Sequence, residues 1–306
     1  MYLLTVILTW LVIQVWGGIA VLQRDDLQQA WHHYLLSLIP NTLNSTVLNL
    51  LILLLPVTVV AFFVALLGDS LASIPVFLLN TIIVLFAIGR GDAVSRSQAF
   101  RFSINDEEAS VAAEAQRYYG LDEQTEHLSG QLYQRIAYQL YERWFAVIFW
   151  FLILGAPGAL LYRMCHNCID SQATSVSQSA LEASIDGGSD SQQAQVDSTS
   201  LGEDASLIVS IMDWLPARIW VLILGAVSYF GTSLELLSAR LFDRITASGL
   251  FAEFFLALPV TGQRLDDEVS QSVSKSIQKQ AEKIETMSQH AMLVSLVLLL
   301  VILLLV

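Results

Sequence analysis

Long apolar runs separated by polar connections are the main pattern along this chain. Six of them approach or reach the roughly 20 residues that an α-helix needs to cross a bilayer. They occupy residues 3–22, 47–67, 74–88, 144–161, part of 207–230, and 292–306. The first run lacks a basic start and a small-residue cleavage site, so we interpret it as a retained helix. The pattern predicts an all-α, polytopic membrane bundle of about six spans.

Two of the polar connections are predicted to contain helices. In 89–143, Asn105 or Ser103 caps a helix that stops at Gly120, and a second helix starts near Ser129 and runs into the span at Trp144. This helical hairpin either packs on the membrane domain or docks a partner. In 232–291, the 11-residue run 250–260 is too short to cross and is predicted to be re-entrant or interfacial.

The last connection then predicts an amphipathic helix. Apolar residues follow at helical spacing, with lysines between them, and this helix is expected to continue into the last span. The apolar positions are Val269, Val273, Ile277, Ile284 and Met287.

The connection 165–205, unlike the two connections above, is predicted to contain no helix. It is rich in Ser, Gln, Ala and Asp and contains seven acids but no lysine or arginine. Such a composition buries too little apolar surface to offset the entropy of ordering. We therefore predict an acidic, disordered loop.

Composition and charge orient these spans. The chain has 306 residues, of which 55% are hydrophobic, and a mean hydropathy of +0.58. Thirteen of its 15 Lys and Arg residues lie in the connections 23–46, 89–143 and 232–291. The positive-inside rule makes these three cytoplasmic and both termini periplasmic. The net charge of −13 comes largely from the outer loop, and no basic patch suggests nucleic-acid binding.

The fifth apolar run is interrupted by DWLPAR at 213–218. A central acid or arginine costs about 2.5–3.5 kcal/mol in a membrane helix and usually faces a bundle interior or a wet cavity. Asp213 and Arg218 lie about 140° apart on a regular helix. Pro216 is predicted to break the helix, so that 205–215 is interfacial and the span starts at Pro216. Either Asp213 is then a cap and Arg218 snorkels, or the two line a ligand site.

Three further polar residues stand at the end of the fourth span. Arg163 is followed by Asn167 and Asp170, a pattern that suits membrane-edge anchoring or a ligand site. Cys165 and Cys168 have C-x-x-C spacing, but no second cluster completes a four-ligand zinc site; we interpret them as incidental thiols, with a disulfide as the alternative. We predict no metal and no cofactor.

Several of these segments resemble a known family. ERWFAVIFWF at 142–151, GAPGALLYR at 155–163, GRGD at 89–92 and DWLPAR at 213–218 look like the AmpE proteins, and the order of spans is similar. The resemblance implies a multi-pass inner-membrane protein of a Gram-negative bacterium, linked to the regulation of chromosomal β-lactamase induction and cell-wall recycling.

AmpE proteins in turn look like distant relatives of the CbiB/CobD enzymes, which form an amide bond to a corrinoid. The shared patterns are GAPGALLYR, Asn167 with Asp170 and Ser171, and the Pro-Ala-Arg element. The acid of the enzymes' Ala-Glu-Asn pattern is missing near 137–139.

Our first hypothesis is therefore an AmpE-like sensor or modulator that is not demonstrably an enzyme. A cavity lined by polar residues would bind an anionic or amide-bearing ligand, such as a cell-wall fragment, and the cytoplasmic helices would report to a protein partner. These residues are Arg163, Asn167, Asp170, Asp213 and Arg218. The alternatives are an amide-forming enzyme of the CbiB/CobD type and, last, a transporter of a polar metabolite.

Overall fold

The protein is described by a computed structural model that covers residues 2–16, 31, 34, 45–68, 73–88, 93–104, 108–121, 128–183, 192–243, 245–258 and 273–305. Every regular element among these residues is a helix. In chain order they are α1 (Tyr2–Trp16), α2 (Ser45–Gly68), α3 (Ser73–Ile88), α4 (Ala93–Ser103), α5 (Glu108–Tyr119), α6 (Leu128–Leu140), a π-helix (Tyr141–Ala146), α7 (Val147–Leu154), α8 (Ala156–Ala183), α9 (Gln192–Val227), α10 (Phe230–Arg240), α11 (Ala247–Ala257) and α12 (Val273–Leu305).

Among the described residues, three helices are long and apolar enough to cross a membrane. They contain Val47–Leu67, Leu201–Val227 and Ile277–Val301, and the first has the bounds expected from the sequence. Shorter apolar helices cover Tyr2–Ile13, Ile74–Ile88 and Ala247–Ala257. The chain is thus all-helical in its described part and has the elements of a membrane protein, while a bundle of six crossings stays a prediction.

The helices group into two compact units. The first comprises Met1–Arg90 and Val147–Met212, and the second comprises Gly91–Ala146 and Asp213–Val306. The core of the first unit includes Ile52, Leu53, Val84, Phe151, Ala159 and Tyr162. The core of the second includes Phe100, Leu132, Ile136, Tyr141, Trp220, Phe251 and Ile284.

The predicted fourth span is not one continuous helix. Gly155, at φ +72°, separates α7 from α8, a conformation that favours glycine. A Cβ placed on Gly158 would lie 2.7 Å from the carbonyl oxygen of Trp150. Eight residues extend about 12 Å along a straight helix, so the chain folds back sharply at Gly155. The break comes here because Pro157 stands in the first turn of α8, where its missing N–H costs no hydrogen bond.

This turn yields a stability prediction. Gly158→Ala would place a Cβ 2.5 Å from Cβ of Leu154, and overpacking of this kind typically costs about 1–3 kcal/mol. A lower melting temperature of the detergent-solubilised protein is expected. Gly130→Ala is the matched control, because nothing lies within 4 Å of a Cβ at Gly130 and alanine favours the interior of α6. Equal melting temperatures for the two variants would contradict the close packing.

The expected helix break at Pro216 is wrong. Helix α9 continues without interruption from Gln192 to Val227, with Pro216 inside it. A proline removes one backbone donor, here the one that would serve the carbonyl of Met212, and the rest of the helix tolerates this loss. The true break in the apolar part of the chain is the one at Gly155.

The prediction of a disordered loop over 165–205 is also wrong at both of its ends. Helix α8 extends to Ala183, and α9 already begins at Gln192; residues 184–191 lie outside the described residues. Extending an existing helix is far easier than starting one, and Ala, Gln, Glu and Leu in these segments favour propagation. The low-complexity composition gave no sequence signal that α8 and α9 extend into this region.

The described part of the connection 89–143 contains three helices and the start of the π-helix. Helix α5 ends as predicted at Gly120, which has φ +66° and donates its N–H to Gln116 O at 2.8 Å. Helix α4 was missed, and Ser103 is its last residue rather than a cap of α5. Asn105 and the motif at 89–92 lie outside the described residues.

The C-terminal helix is continuous, as predicted. Helix α12 joins the lysine-containing segment to the last apolar run, from Val273 to Leu305. Its early part buries Ile277, Ala281 and Ile284. Val269 and the end of the apolar run 250–260 lie outside the described residues.

Candidate functional site

The polar centre of the second unit is the carboxylate of Asp213 on α9. Its side chain is only 3% exposed. The hydroxyl of Tyr138 donates to Asp213 Oδ2 at 2.7 Å, and the hydroxyl of Tyr141 donates to Asp213 Oδ1 at 3.0 Å. Each carboxylate oxygen therefore has its own phenolic donor, which is how a buried acid offsets part of the cost of leaving water.

The two tyrosines come from the point where α6 passes into the π-helix. Tyr138 lies in the last turn of α6, and Tyr141 is the first residue of the π-helix. Helical residues three apart share a face, so both hydroxyls reach the same carboxylate. A π-helix is rare and often marks a functional position. Periodicity in the sequence predicted a helix here but not its wider turn.

Aromatic rings surround this carboxylate. The Tyr141 ring meets Phe251 edge-on with centroids 4.9 Å apart, and Phe145 lies 4.8 Å from Trp220. Tyr138 and Tyr141 themselves lie 5.9 Å apart. Trp220, Tyr141 and Phe251 are fully buried. The π-helix, α9 and α11 thus meet in a low-dielectric cluster, where a polar contact has its largest energetic effect.

The chemistry of the centre follows from its hydrogen bonds. Both phenolic hydroxyls donate to the carboxylate, so the centre is made of oxygen acceptors. Oxygen acceptors bind N–H groups, which amide and ammonium ligands carry and a purely anionic ligand lacks.

Arg218 has a different set of partners. Its Nε donates to Leu241 O at 2.9 Å, Nη1 to Trp214 O at 2.7 Å, and Nη2 to Asp243 O at 3.0 Å and Arg240 O at 3.3 Å. The guanidinium carbon also lies 4.5 Å from the centroid of the Trp214 ring. Arg218 thus binds backbone carbonyls and does not pair with Asp213, and its role in holding a ligand stays a prediction.

The other predicted site residues lie on α8 in the first unit. Arg163 and Asn167 are buried and Asp170 is exposed. Their spacing of four and three residues puts them on one side of the helix. The structure thus gives Arg163, Asn167 and Asp170 a shared helix face in one unit and places Asp213 and Arg218 in the other. A single cavity lined by all five stays a prediction.

Cys165 and Cys168 of the same helix are both buried and are not joined by a disulfide. Within the described ranges, no group of three His, Cys, Asp or Glu side chains is arranged to hold a metal ion. His166 is buried beside the Tyr162 ring, with centroids 4.6 Å apart.

Sequence reasoning missed Tyr138 and Tyr141, and it also missed a second polar contact. Glu285 of α12 forms an ion pair with Arg101 of α4 at 3.2 Å and accepts from Gln98 Nε2 at 3.0 Å. Gln278 donates to the carbonyl of Arg101 at 3.0 Å. One signal was available: an acid at 285 interrupts the buried apolar face of α12. This contact holds α4 on α12.

Comparison with protein-family models, with curated proteins and with solved structures finds no match to this chain.

Proposed function

We propose that this chain is an AmpE-like, multi-pass inner-membrane protein of a Gram-negative bacterium that senses a polar ligand and modulates β-lactamase induction during cell-wall recycling. Three helices able to cross a membrane support the location. The motifs at 142–151, 155–163 and 213–218 support the family. The proposal keeps both termini periplasmic and the connections 89–143 and 232–291 on the cytoplasmic side. The number of crossings stays a prediction, because the fourth apolar run folds back at Gly155.

The observation that carries the proposal is the buried Asp213 carboxylate with its two tyrosine donors. A ligand N–H that binds an oxygen of this centre competes with a phenolic hydroxyl for the same lone pairs. Tyr138 and Tyr141 belong to a continuous helical stretch, so displacing their side chains shifts α6. Helix α6 packs with α5 and α4 in the same unit, and this group is the proposed surface for a cytoplasmic partner.

The geometry narrows the ligand class. Arg218 already donates to four backbone carbonyls, which leaves the acceptor-rich centre at Asp213 as the recognition element in the second unit. A cell-wall fragment with peptide amides or an amino group fits this chemistry better than a purely anionic ligand.

The test measures ligand binding and β-lactamase induction in the same variant. Asp213→Asn keeps an acceptor for one tyrosine and removes the charge. We expect it to abolish induction of β-lactamase and the rise in melting temperature caused by an anhydro-muropeptide. A ligand at 100 times its dissociation constant stabilises a protein by about 2.7 kcal/mol, which a melting curve resolves.

Glu203→Gln is the control, because it makes the same change of acid to amide at an exposed position of α9. It should leave induction and the melting shift unchanged. Normal induction in Asp213→Asn would overturn the proposed site. A melting shift with a corrinoid and ATP, together with nucleotide turnover by the pure protein, would replace the sensor with the amide-forming enzyme.

A further inference from the structure

Helices α9 and α10 form an antiparallel hairpin with its turn at Ser228 and Tyr229. A Cβ on Gly225 would collide with the side chain of Ser233, so the two backbones approach closely there. Further from the turn, Arg218 reaches the carbonyls of Arg240 and Leu241. From Gly225 to Arg218 the chain steps seven residues back along α9, and from Ser233 to Arg240 it steps seven residues forward along α10, so the two helices are antiparallel.

This register fixes the depth at which α10 ends. The candidate span on α9 runs from Leu201 to Val227, and Arg218 lies nine residues before its end, about 13 Å along the axis. The end of α10 lies beside Arg218, so α10 returns along the span to this level. With 11 residues it extends about 16 Å, roughly half of the hydrocarbon thickness. Helix α10 therefore enters the membrane and ends about halfway through its hydrocarbon core.

A helix that ends at such a depth has carbonyl groups without helical partners, and lipid offers no donors for them. Arg218 supplies these donors to the carbonyls of Arg240, Leu241 and Asp243. This accounts for an arginine that is only 4% exposed in the middle of an apolar segment. Arg218 lies on α9 at the same level as the carbonyls at the end of α10 that need donors.

Each helix of the hairpin has one exposed apolar face, while Glu235 and Ser238 are exposed on other sides of α10. Phe230, Leu234 and Leu241 fall within about 40° of one another around α10 and are 54%, 47% and 39% exposed. On α9, Leu215 and Leu222 are two turns apart on one face and are also exposed. These surfaces suit contact with lipid along the length of the hairpin.

The tip that follows α10 carries charged side chains beside two exposed apolar ones. The side chain of Arg240 bonds Asp243 at 2.9 Å and Glu253 at 3.2 Å, and all three are at least one-third exposed. Leu241 and Phe242 are 39% and 85% exposed, and the backbone at 241–243 forms a turn rather than a regular helix. Irregular backbone and charges are tolerated at membrane depth only inside protein or beside water.

We infer that α10 is a re-entrant helix, capped by Arg218, whose charged tip (240–243 with Glu253) lines a water-filled recess at membrane depth. Such a recess admits water and small polar solutes to the middle of the span. The inference needs α9 to cross the membrane, but it is independent of any link to β-lactamase.

Spin labels at two positions test the inference directly. In a Cys165→Ala, Cys168→Ala background, one protein carries Phe242→Cys at the tip and another carries Leu215→Cys on the apolar face of α9. Both positions are exposed, at 85% and 44%, and they lie at the same level because Arg218 bonds the carbonyls of both Trp214 and Asp243. The labelled proteins are placed in phosphatidylcholine–phosphatidylglycerol vesicles.

Power saturation then measures collision of each label with oxygen, which concentrates in lipid, and with a water-soluble nickel chelate. We expect the label at 215 to meet oxygen and exclude nickel, and the label at 242 to be several-fold more accessible to nickel. If both labels meet nickel, the hairpin lies outside the bilayer and the inference fails. If both exclude nickel, or if only the label at 215 meets it, the tip does not line water and the inference fails equally.

Discussion

Arg218→Ala is expected to lower the free energy of unfolding by about 3 kcal/mol or more, because several acceptors lose their donor at once. Four backbone carbonyls accept from this one guanidinium. The variant removes the side-chain donor of Leu241 O and Asp243 O, whereas Arg240 O still accepts from the N–H of Asp243 at 3.2 Å. Arg218→Lys should recover only part of the loss, since a single ammonium cannot reproduce the planar fork of donors. Denaturant titration of the detergent-solubilised protein measures both variants.

The matched control is Arg240→Ala, which removes an arginine of the same hairpin from an exposed ion pair. Exposed pairs contribute little to stability, so this variant should unfold much like the unchanged protein. A local measurement separates opening of the hairpin from general loss of stability. Trypsin should cut after Arg240 faster in Arg218→Ala, and an unchanged cutting rate with an unchanged unfolding curve would show that Arg218 is not the cap.

Local signals in the sequence predicted several helix ends correctly. Gly120 ends α5 because a glycine at positive φ is the commonest helix terminator, and the apolar run 47–67 matches a candidate span. Such features depend on neighbouring residues alone. The break of the fourth span carried a comparable signal, since Pro157 near a helix start follows the same preference that was applied to Pro216.

The contacts of Asp213 and Arg218 were beyond the sequence because their partners are distant along the chain. Tyr138 is 75 residues from Asp213, and three of the four carbonyls that Arg218 binds lie 22 to 25 residues later in the chain, in a segment without a sequence pattern of its own. A backbone carbonyl is present at every residue, so its use as an acceptor leaves no trace in residue type. The sequence identified Asp213 and Arg218 as residues that are costly to bury in a membrane. Only the packing of α6 and α10 against α9 shows which groups form hydrogen bonds with them.

The two tyrosine bonds at Asp213 are expected to show strong energetic coupling. Tyr138→Phe and Tyr141→Phe should each cost about 1.5–3 kcal/mol, the usual range for a hydrogen bond to a charged group. In an Asp213→Ala background the same substitutions should cost close to nothing, because the acceptor is already gone. The difference between the two backgrounds is the coupling energy of each pair, and unfolding curves of the two single variants, the two double variants and their two parents supply it.

Tyr133→Phe is the control for this cycle, because Tyr133 is a buried tyrosine of the same helix that has no hydrogen bond to Asp213. Its cost should be the same in both backgrounds. Asp213→Asn should be milder than Asp213→Ala, since the amide accepts from one hydroxyl through its oxygen and donates to the other through its nitrogen. Equal costs of Tyr141→Phe with and without Asp213 would mean that the carboxylate is not held by the π-helix, and the route from ligand to α6 would lose its first step.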